Sequence, residues 1–216
     1  MEHIFNEIYK NKIWTMGEPD VPLSGPGSSI EHTVPLRQAF PEILDIFGVK
    51  TLLDAPCGDM TWMSVMLKDV DITYIGGDIV KSVVDENIVK YGNSKTFFTH
   101  LDITKDPLPN SDMMLCRDCL FHFPFEYIKI ALNNFYQSGI KYLMATSHSF
   151  NVPNIDINIG DFRCLDLTQE PFLLGRPLYT VEEVAEAPGI RRHVNVWSRE
   201  QIPELARAVD VHSCRK

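Results

Sequence analysis

Leu53-Asp54-Ala-Pro-Cys-Gly58-Asp59 sets two carboxylates around a sharp turn, with a glycine that lets a ligand approach the backbone closely. Asp78 stands 24 residues after Asp54, and further on Asp102 is followed by Ile103. A carboxylate placed as Asp78 is accepts hydrogen bonds from both hydroxyls of a ribose. One at Asp102 accepts from the amino group of an adenine, with Ile103 against the ring. A second set could move protons. Asp118 and His122, in Arg117-Asp118-Cys-Leu-Phe-His122, and His148, in Thr146-Ser147-His148-Ser149, are the candidate general bases. Histidine titrates near working pH, which suits the task. Asp118 reads equally as a base, as an orienting partner or as a helix cap. His122 and His148 each also read as a histidine bonded to backbone or solvent.

These residues need a frame that gathers them. Val49–Asp54, Ile72–Asp78, Thr96–Asp102, Asp112–Cys116 and Lys141–Thr146 are short apolar runs rich in strand formers. Between them lie helical patterns. Met60–Lys68 is one, Val84, Ile88 and Tyr91 line a second, and Phe125, Ile128, Leu132 and Phe135 line a third. Upstream, Ile30–Phe40 reads as a short helix stopped by Pro41, with a further turn over Ile43–Phe47 ended by Gly48. Alternating strands and helices predict a doubly wound α/β fold, a mostly parallel sheet with helices on both faces. Ligands of such sheets sit beyond the carboxyl ends of the strands. Asp54, Asp78 and Asp102 all fall at such ends.

From Ser147 to Thr180 the periodicity is lost. Irregular insertions of that length are usually functional. Asn154, Asp156 and Arg163 lie in it and could bind a polar acceptor, although Asn and Asp are also ordinary turn residues. Val194–Trp197 reads as a late strand. Ser198, with Glu200 nearby, caps a last helix with Ile202, Leu205 and Ala206 as its apolar face.

The chain has 216 residues, 44% hydrophobic and 23% charged, which fits one globular domain and excludes a disordered chain. The net charge of −9 and the lack of a basic patch beyond Arg191-Arg192 and Arg215-Lys216 argue against nucleic acid as a partner. No run approaches the ~18 apolar residues of a membrane span, and MEHIFNEIYKNKIW is no signal peptide. Five cysteines without an export signal point to reduced thiols and a cytoplasmic protein. Cys116-Arg-Asp-Cys119 is formally C-x-x-C, but no second pair has the spacing of a structural zinc site. No residues are assigned as metal ligands, and a divalent metal is left open. The oligomeric state is left open too.

The rival ligand is a nicotinamide dinucleotide, whose fingerprint is G-x-G-x-x-G at the first turn. Here Pro56 and Cys57 stand in place of the glycines, and Asp54 and Asp59 would repel a pyrophosphate. An acidic turn suits a ligand with a positive end. S-adenosylmethionine carries a sulfonium and an ammonium.

Leu52-Leu-Asp54-Ala-Pro-Cys-Gly-Asp-Met-Thr-Trp62 resembles the first motif of class I S-adenosylmethionine-dependent methyltransferases. More narrowly, Ser24-Gly-Pro-Gly-Ser-Ser29, Arg117-Asp-Cys-Leu-Phe-His122, Ser138-Gly-Ile-Lys-Tyr-Leu-Met-Ala-Thr146 and Asn154-Ile-Asp-Ile-Asn-Ile-Gly-Asp-Phe-Arg163-Cys-Leu-Asp-Leu167 are similar to small methyltransferases of bacterial and large-virus genomes, often near glycan-building genes. The likeness runs from about Phe5 to Leu205. His32, where the family has Gln or Glu, and Arg192-His193 at the start of the late strand depart from the pattern and bear on the acceptor.

The resemblance implies a Rossmann-like sheet of seven strands and one domain. Residues 1–48 would form an N-terminal helical lid, 49–146 the cofactor core, and 147–216 an acceptor-side insertion with the last sheet and helix. It implies S-adenosylmethionine as cofactor, held by Asp54, Pro56, Gly58, Asp59, Trp62, Asp78, Ile79, Asp102, Ile103, Arg117 and Ser28. Asn154, Asp156 and Arg163 would hold the acceptor, a sugar hydroxyl of a glycan, rhamnose in particular. The alternatives are a small molecule or protein side chain as acceptor, a dehydrogenase-like oxidoreductase, and a non-catalytic nucleotide-binding module.

Overall fold

In the computed structural model, which describes residues 1–185 and 187–207, seven strands form one sheet in the order β3-β2-β1-β4-β5-β7-β6. They are β1 (Thr51–Asp54), β2 (Thr73–Asp78), β3 (Thr96–His100), β4 (Met113–Cys116), β5 (Tyr142–Ser149), β6 (Tyr179–Glu183) and β7 (Arg191–Ser198). β1 to β5 are parallel, and β7 runs antiparallel between β5 and β6. The strand order reverses at β1 and β4, so their carboxyl ends open a crevice. This is the Rossmann-like doubly wound sheet that the alternating pattern predicts.

The central strands β1, β4 and β5 lack a polar face because both faces are covered. Successive side chains alternate sides. Leu52, Tyr74, Met113, Leu115, Met144 and Val196 join one core with α2 (Val34–Phe47) and α3 (Met63–Met66). Leu53, Met114, Cys116, Leu143, Ala145 and Trp197 join the other with α1 (Glu2–Lys10), α4 (Lys81–Tyr91) and α5 (Phe125–Ser138).

Several boundaries differ from the sequence reading. Pro41 does not stop a helix: α2 runs straight through it. The proline costs about 3 kcal/mol. Leu36, Phe40, Ile43 and Leu44, all buried on one face, each return roughly 1.5–3 kcal/mol, so packing wins. The helix expected over Met60–Lys68 shrinks to the single turn α3. On α4 the buried face is Val83, Val84 and Asn87, while Ile88 is exposed. Asp102 lies two residues beyond β3 rather than in it.

The stretch 147–180 is less irregular than it reads. β5 continues to Ser149, and β6 begins at Tyr179. β6 is an edge strand, Tyr-Thr-Val-Glu-Glu, whose charged end disguises it. Ser198 caps a 3-10 turn, Arg199–Gln201, through a capping box with Gln201 rather than Glu200, ahead of α6 (Glu204–Arg207). Ile202 and Ala206 are buried as expected. The side chain of Leu205, and Cys214, Arg215 and Lys216, lie outside the described residues. Among the described residues no helix is long and apolar enough to cross a membrane.

Candidate active site

The crevice is a cleft lined by the carboxyl ends of β1, β2 and β4 and covered by the N-terminal segment. Asp54 closes its floor. Burial pushes its carboxyl up to about 7, even though the Tyr74 hydroxyl donates to Oδ2 at 2.7 Å and Arg117 opposes the shift. Asp78, at the end of β2, accepts from the N–H groups of Gly58 at 3.0 Å and Val80 at 2.9 Å. Burial still pushes it up to about 6. Asp102 accepts from Thr104 through Oδ1, which leaves Oδ2 facing Lys105 at 3.3 Å. Ile79 and Ile103 supply apolar wall beside the two aspartates.

Beyond β4, Arg117 and Asp118 enter a ring of four buried charges. Arg117 donates to Glu183 on β6 at 3.0–3.2 Å and contacts Asp118 at 3.0 Å. Arg192 on β7 grips Asp118 with Nη2 at 2.5–2.6 Å and donates from Nε to Glu183 at 3.0 Å. Two guanidiniums thus face two carboxylates. Burial alone would raise the Asp118 pKa, but Arg117 and Arg192 outweigh it and hold the carboxyl well below the usual range. A carboxylate so held is a weak base. Its other bond is from Thr146 Oγ1, at 2.9 Å. Arg117 Nη2 also donates to the carbonyl of Gly27, tying the Ser24–Ser29 loop to the ring. A side chain at Gly27 would meet Asp118 Oδ2 at 2.7 Å, which explains the glycine.

His122 lies in a 3-10 turn, Leu120–His122, and lines the cleft. Its Nδ1 is 2.8 Å from the carbonyl oxygen of Asp161. A carbonyl only accepts, so Nδ1 carries the proton and Nε2 the lone pair. Burial lowers the His122 pKa, against the opposing pull of the Asp161 carbonyl and the Asp118 charge.

The cover is latched by small contacts. Tyr9 Oη meets Ser24 Oγ at 2.9 Å, and Ser24 Oγ accepts from Asp59 N at 2.8 Å. Trp14 packs on Phe5 and Tyr9 and stacks on His122.

Of the residues expected at the cofactor, Asp54, Pro56, Gly58, Trp62, Asp78, Ile79, Asp102, Ile103, Arg117 and Ser28 all line the cleft. Asp59 does not. Its carboxylate accepts from Ser24 N and Thr61 N, so it holds the cover instead. Asp118 and His122 also line the cleft. His148 is displaced from its expected loop: it sits inside β5, 0% exposed, and pairs with the backbone of Leu165.

Asn154, Asp156 and Arg163 are also away from the cleft. Asn154 bridges Asp166 and Glu170 backbone, and Asp156 Oδ1 caps the first N–H of α5. Buried Arg163 donates to the Phe121 carbonyl and lies over the Phe125 ring. Polar residues placed for turn and cap chemistry look like ligand-binding residues in a sequence. The sequence reading missed Glu183 and Tyr9, and took Arg192 only as a departure bearing on the acceptor; the charges of Glu183 and Arg192 on strand positions were the signal.

The lining fits a ligand with a cationic end. Asp54, Asp78 and Asp102 face the cleft outside the ring of charges, while its fourth aspartate, Asp118, and its one arginine, Arg117, are already paired. Among the described residues no three His, Cys, Asp or Glu side chains gather as metal ligands.

No protein-family model matches the sequence, and no curated protein matches it. Solved structures do match the fold. One is the Burkholderia thailandensis 1,6-didemethyltoxoflavin-N1-methyltransferase with 1,6-didemethyltoxoflavin and S-adenosylhomocysteine bound (TM-score 0.60, 14% identity, 92% of this chain and 90% of that one). A second is the Synechocystis PCC 6803 magnesium protoporphyrin IX methyltransferase with S-adenosylhomocysteine (TM-score 0.55, 14% identity, 88% and 93%). A third is human N-acetylserotonin methyltransferase with S-adenosylmethionine (TM-score 0.53, 13% identity), where the match covers 87% of this chain but 61% of the human one. The chain has the fold of S-adenosylmethionine-dependent methyltransferases.

Proposed function

We propose that the protein is an S-adenosylmethionine-dependent O-methyltransferase. The observation that carries this reading is the meeting of Asp54, Asp78 and Asp102 around one cleft, at the strand ends where this fold binds its ligand. S-adenosylmethionine supplies an electrophilic methyl group when bound. Asp78 accepts from its ribose, Asp102 from its adenine, and Asp54, ionised against a positive charge, from its amino-acid end. Arg117 and Asp118, locked with Arg192 and Glu183, fix the cleft wall. His122 takes the acceptor proton at Nε2, and the cleft positions the acceptor oxygen in line.

The acceptor is a sugar hydroxyl of a glycan, rhamnose in particular; this finer assignment rests on the motif resemblance. A second reading, a planar small-molecule acceptor, is favoured by the aromatic mouth, where Trp14 and the 51% exposed Phe162 flank His122. Neighbours of the same fold were solved with 1,6-didemethyltoxoflavin and with apigenin.

Calorimetry with S-adenosylhomocysteine, against NAD as control, tests the cofactor. Micromolar binding of the first alone is expected. Binding of NAD alone would move the protein to the oxidoreductases. Methyl transfer to rhamnosides and to planar phenols then separates the two acceptor readings.

A further inference from the structure

His122 hangs from the insertion rather than from the sheet. Gly160 N donates to the His122 carbonyl at 2.9 Å, and His122 Nδ1 donates to the Asp161 carbonyl at 2.8 Å. Two residues on, Arg163 donates to the Phe121 carbonyl from its backbone N at 3.3 Å and from Nη1 at 3.2 Å. Phe162 packs edge-on against Phe121, with centroids 5.2 Å apart. Four consecutive residues thus grip two. Three of the four bonds use backbone atoms of residues 160–163, so they hold position whatever side chain Asp161 carries. Gly160 makes the geometry possible. Its φ is +88°, and a Cβ there would meet Ile4 Cγ2 of α1 at 2.9 Å.

We propose that residues 160–163 are a positioning clasp that holds His122 with its proton on Nδ1 and its lone pair on Nε2. The inference rests on His122 as the base of the proposed methyl transfer. A neutral imidazole offers one lone pair, and which nitrogen bears it depends on what the other nitrogen donates to. Released from the Asp161 carbonyl, the ring can flip or change tautomer, and the acceptor meets an N–H instead of a lone pair. The charged groups facing the ring act in opposite senses. Asp118 favours the imidazolium, and Arg163, with burial, favours the neutral ring. The clasp therefore brings one of its own charges, Arg163, to keep the base unprotonated. Asn154, Asp156 and Arg163 then serve the reaction by building the insertion that bears the clasp.

The test is long-range ¹H–¹⁵N correlation on the full chain, labelled on histidine rings, with and without S-adenosylhomocysteine. The wild type is expected to show His122 as the neutral Nδ1–H tautomer, titrating below the ordinary value of ~6.5. Gly160→Ala is expected to mix or invert the tautomers. It should lower turnover roughly tenfold or more, a share of the 10²–10⁴ that a general base supplies, and leave S-adenosylhomocysteine affinity unchanged. Asp161→Ala, which keeps the carbonyl, should match the wild type in both readouts. An Nε2–H tautomer in the wild type overturns the clasp, as does an unchanged tautomer in folded Gly160→Ala. The wild-type spectrum decides even if Gly160→Ala fails to fold. Full turnover in His122→Gln would instead remove the base, a distinct result from a wrong tautomer.

Discussion

Trp14 lies on His122 with ring centroids 5.1 Å apart and planes 24° from parallel. A residue of the N-terminal cover therefore touches the proposed base directly. Lifting Trp14 off His122 would expose the imidazole to water.

Trp14→Ala should loosen the cover without disturbing the sheet. An aromatic pair is worth about 0.5–1.5 kcal/mol beyond its buried area. S-adenosylhomocysteine should leave roughly two- to tenfold faster in stopped-flow measurements, with little change in unfolding temperature. The His122 pKa should rise toward the ordinary imidazole value as burial is relieved. An unchanged dissociation rate would show that the stack does not gate the cleft.

Asp78→Ala should abolish cofactor binding. Its carboxylate receives two backbone N–H groups, so the loss also frees the turn at Gly58. Calorimetry should show at least about a hundredfold weaker S-adenosylhomocysteine binding, of the size seen when a hydrogen-bonded charge is removed from a buried site. Wild-type affinity would move the ribose elsewhere.

On the proposed function, Asp54 would link cofactor binding to pH. Its folded pKa of about 7 exceeds the unfolded value of 3.8, so the empty folded protein holds the proton more tightly than the unfolded chain does. That contribution to stability is complete below pH ~4 and is lost as pH rises through about 7, on the order of 4 kcal/mol in all. Asp54→Asn should therefore flatten the stability curve between pH 5 and 8, roughly speaking, and make the empty protein more stable at the upper end. It should also weaken S-adenosylhomocysteine binding at pH ~8, where the wild-type carboxylate is ionised. Denaturant unfolding and calorimetry across that range check both signs. An equal pH slope in the two proteins would place the titration on another group.

Arg192→Met removes one cation from the four-charge ring and leaves Glu183 and Asp118 sharing Arg117. Breaking a buried pair costs about 3–5 kcal/mol. At this chain length that is a fall of roughly 10 °C in Tm. Arg192→Lys keeps the charge but not the fork, and should fall between. An unchanged midpoint in Arg192→Met would show that the ring is not under tension from its burial.

The sheet was legible in the sequence because β1, β2, β4 and β5 obey one local rule, a short apolar run rich in strand formers, which in β1 and β2 closes on an aspartate. The same rule placed Asp54 and Asp78 at the cleft. What the sequence hid depends on distant partners. β6 reads as a polar loop because Glu183 is balanced by Arg117 and Arg192, 66 and 9 residues away. His148 reads as a loop residue because β5 overruns its parallel neighbour β4 and continues along β7 alone. Asp59 and Asp156 have the side chains of ligand-binding residues, yet each caps a backbone N–H more than thirty residues away, Ser24 and Phe125, which no local pattern reveals. Pro41 misled in the other direction, since a local cost was outweighed by a packed face.

The four-charge ring also sets a schedule. Asp118 belongs to the middle of the chain, and its clamp Arg192 is made 74 residues later. That arginine comes with β7, which lies between β5 and β6. On a ribosome that feeds the chain at ~5–20 residues per second, β1 to β5 all emerge before the wall of the cleft is finished. For those seconds the carboxylate of Asp118 has one arginine where the finished protein gives it two. The cleft wall is thus completed from the last strand inward.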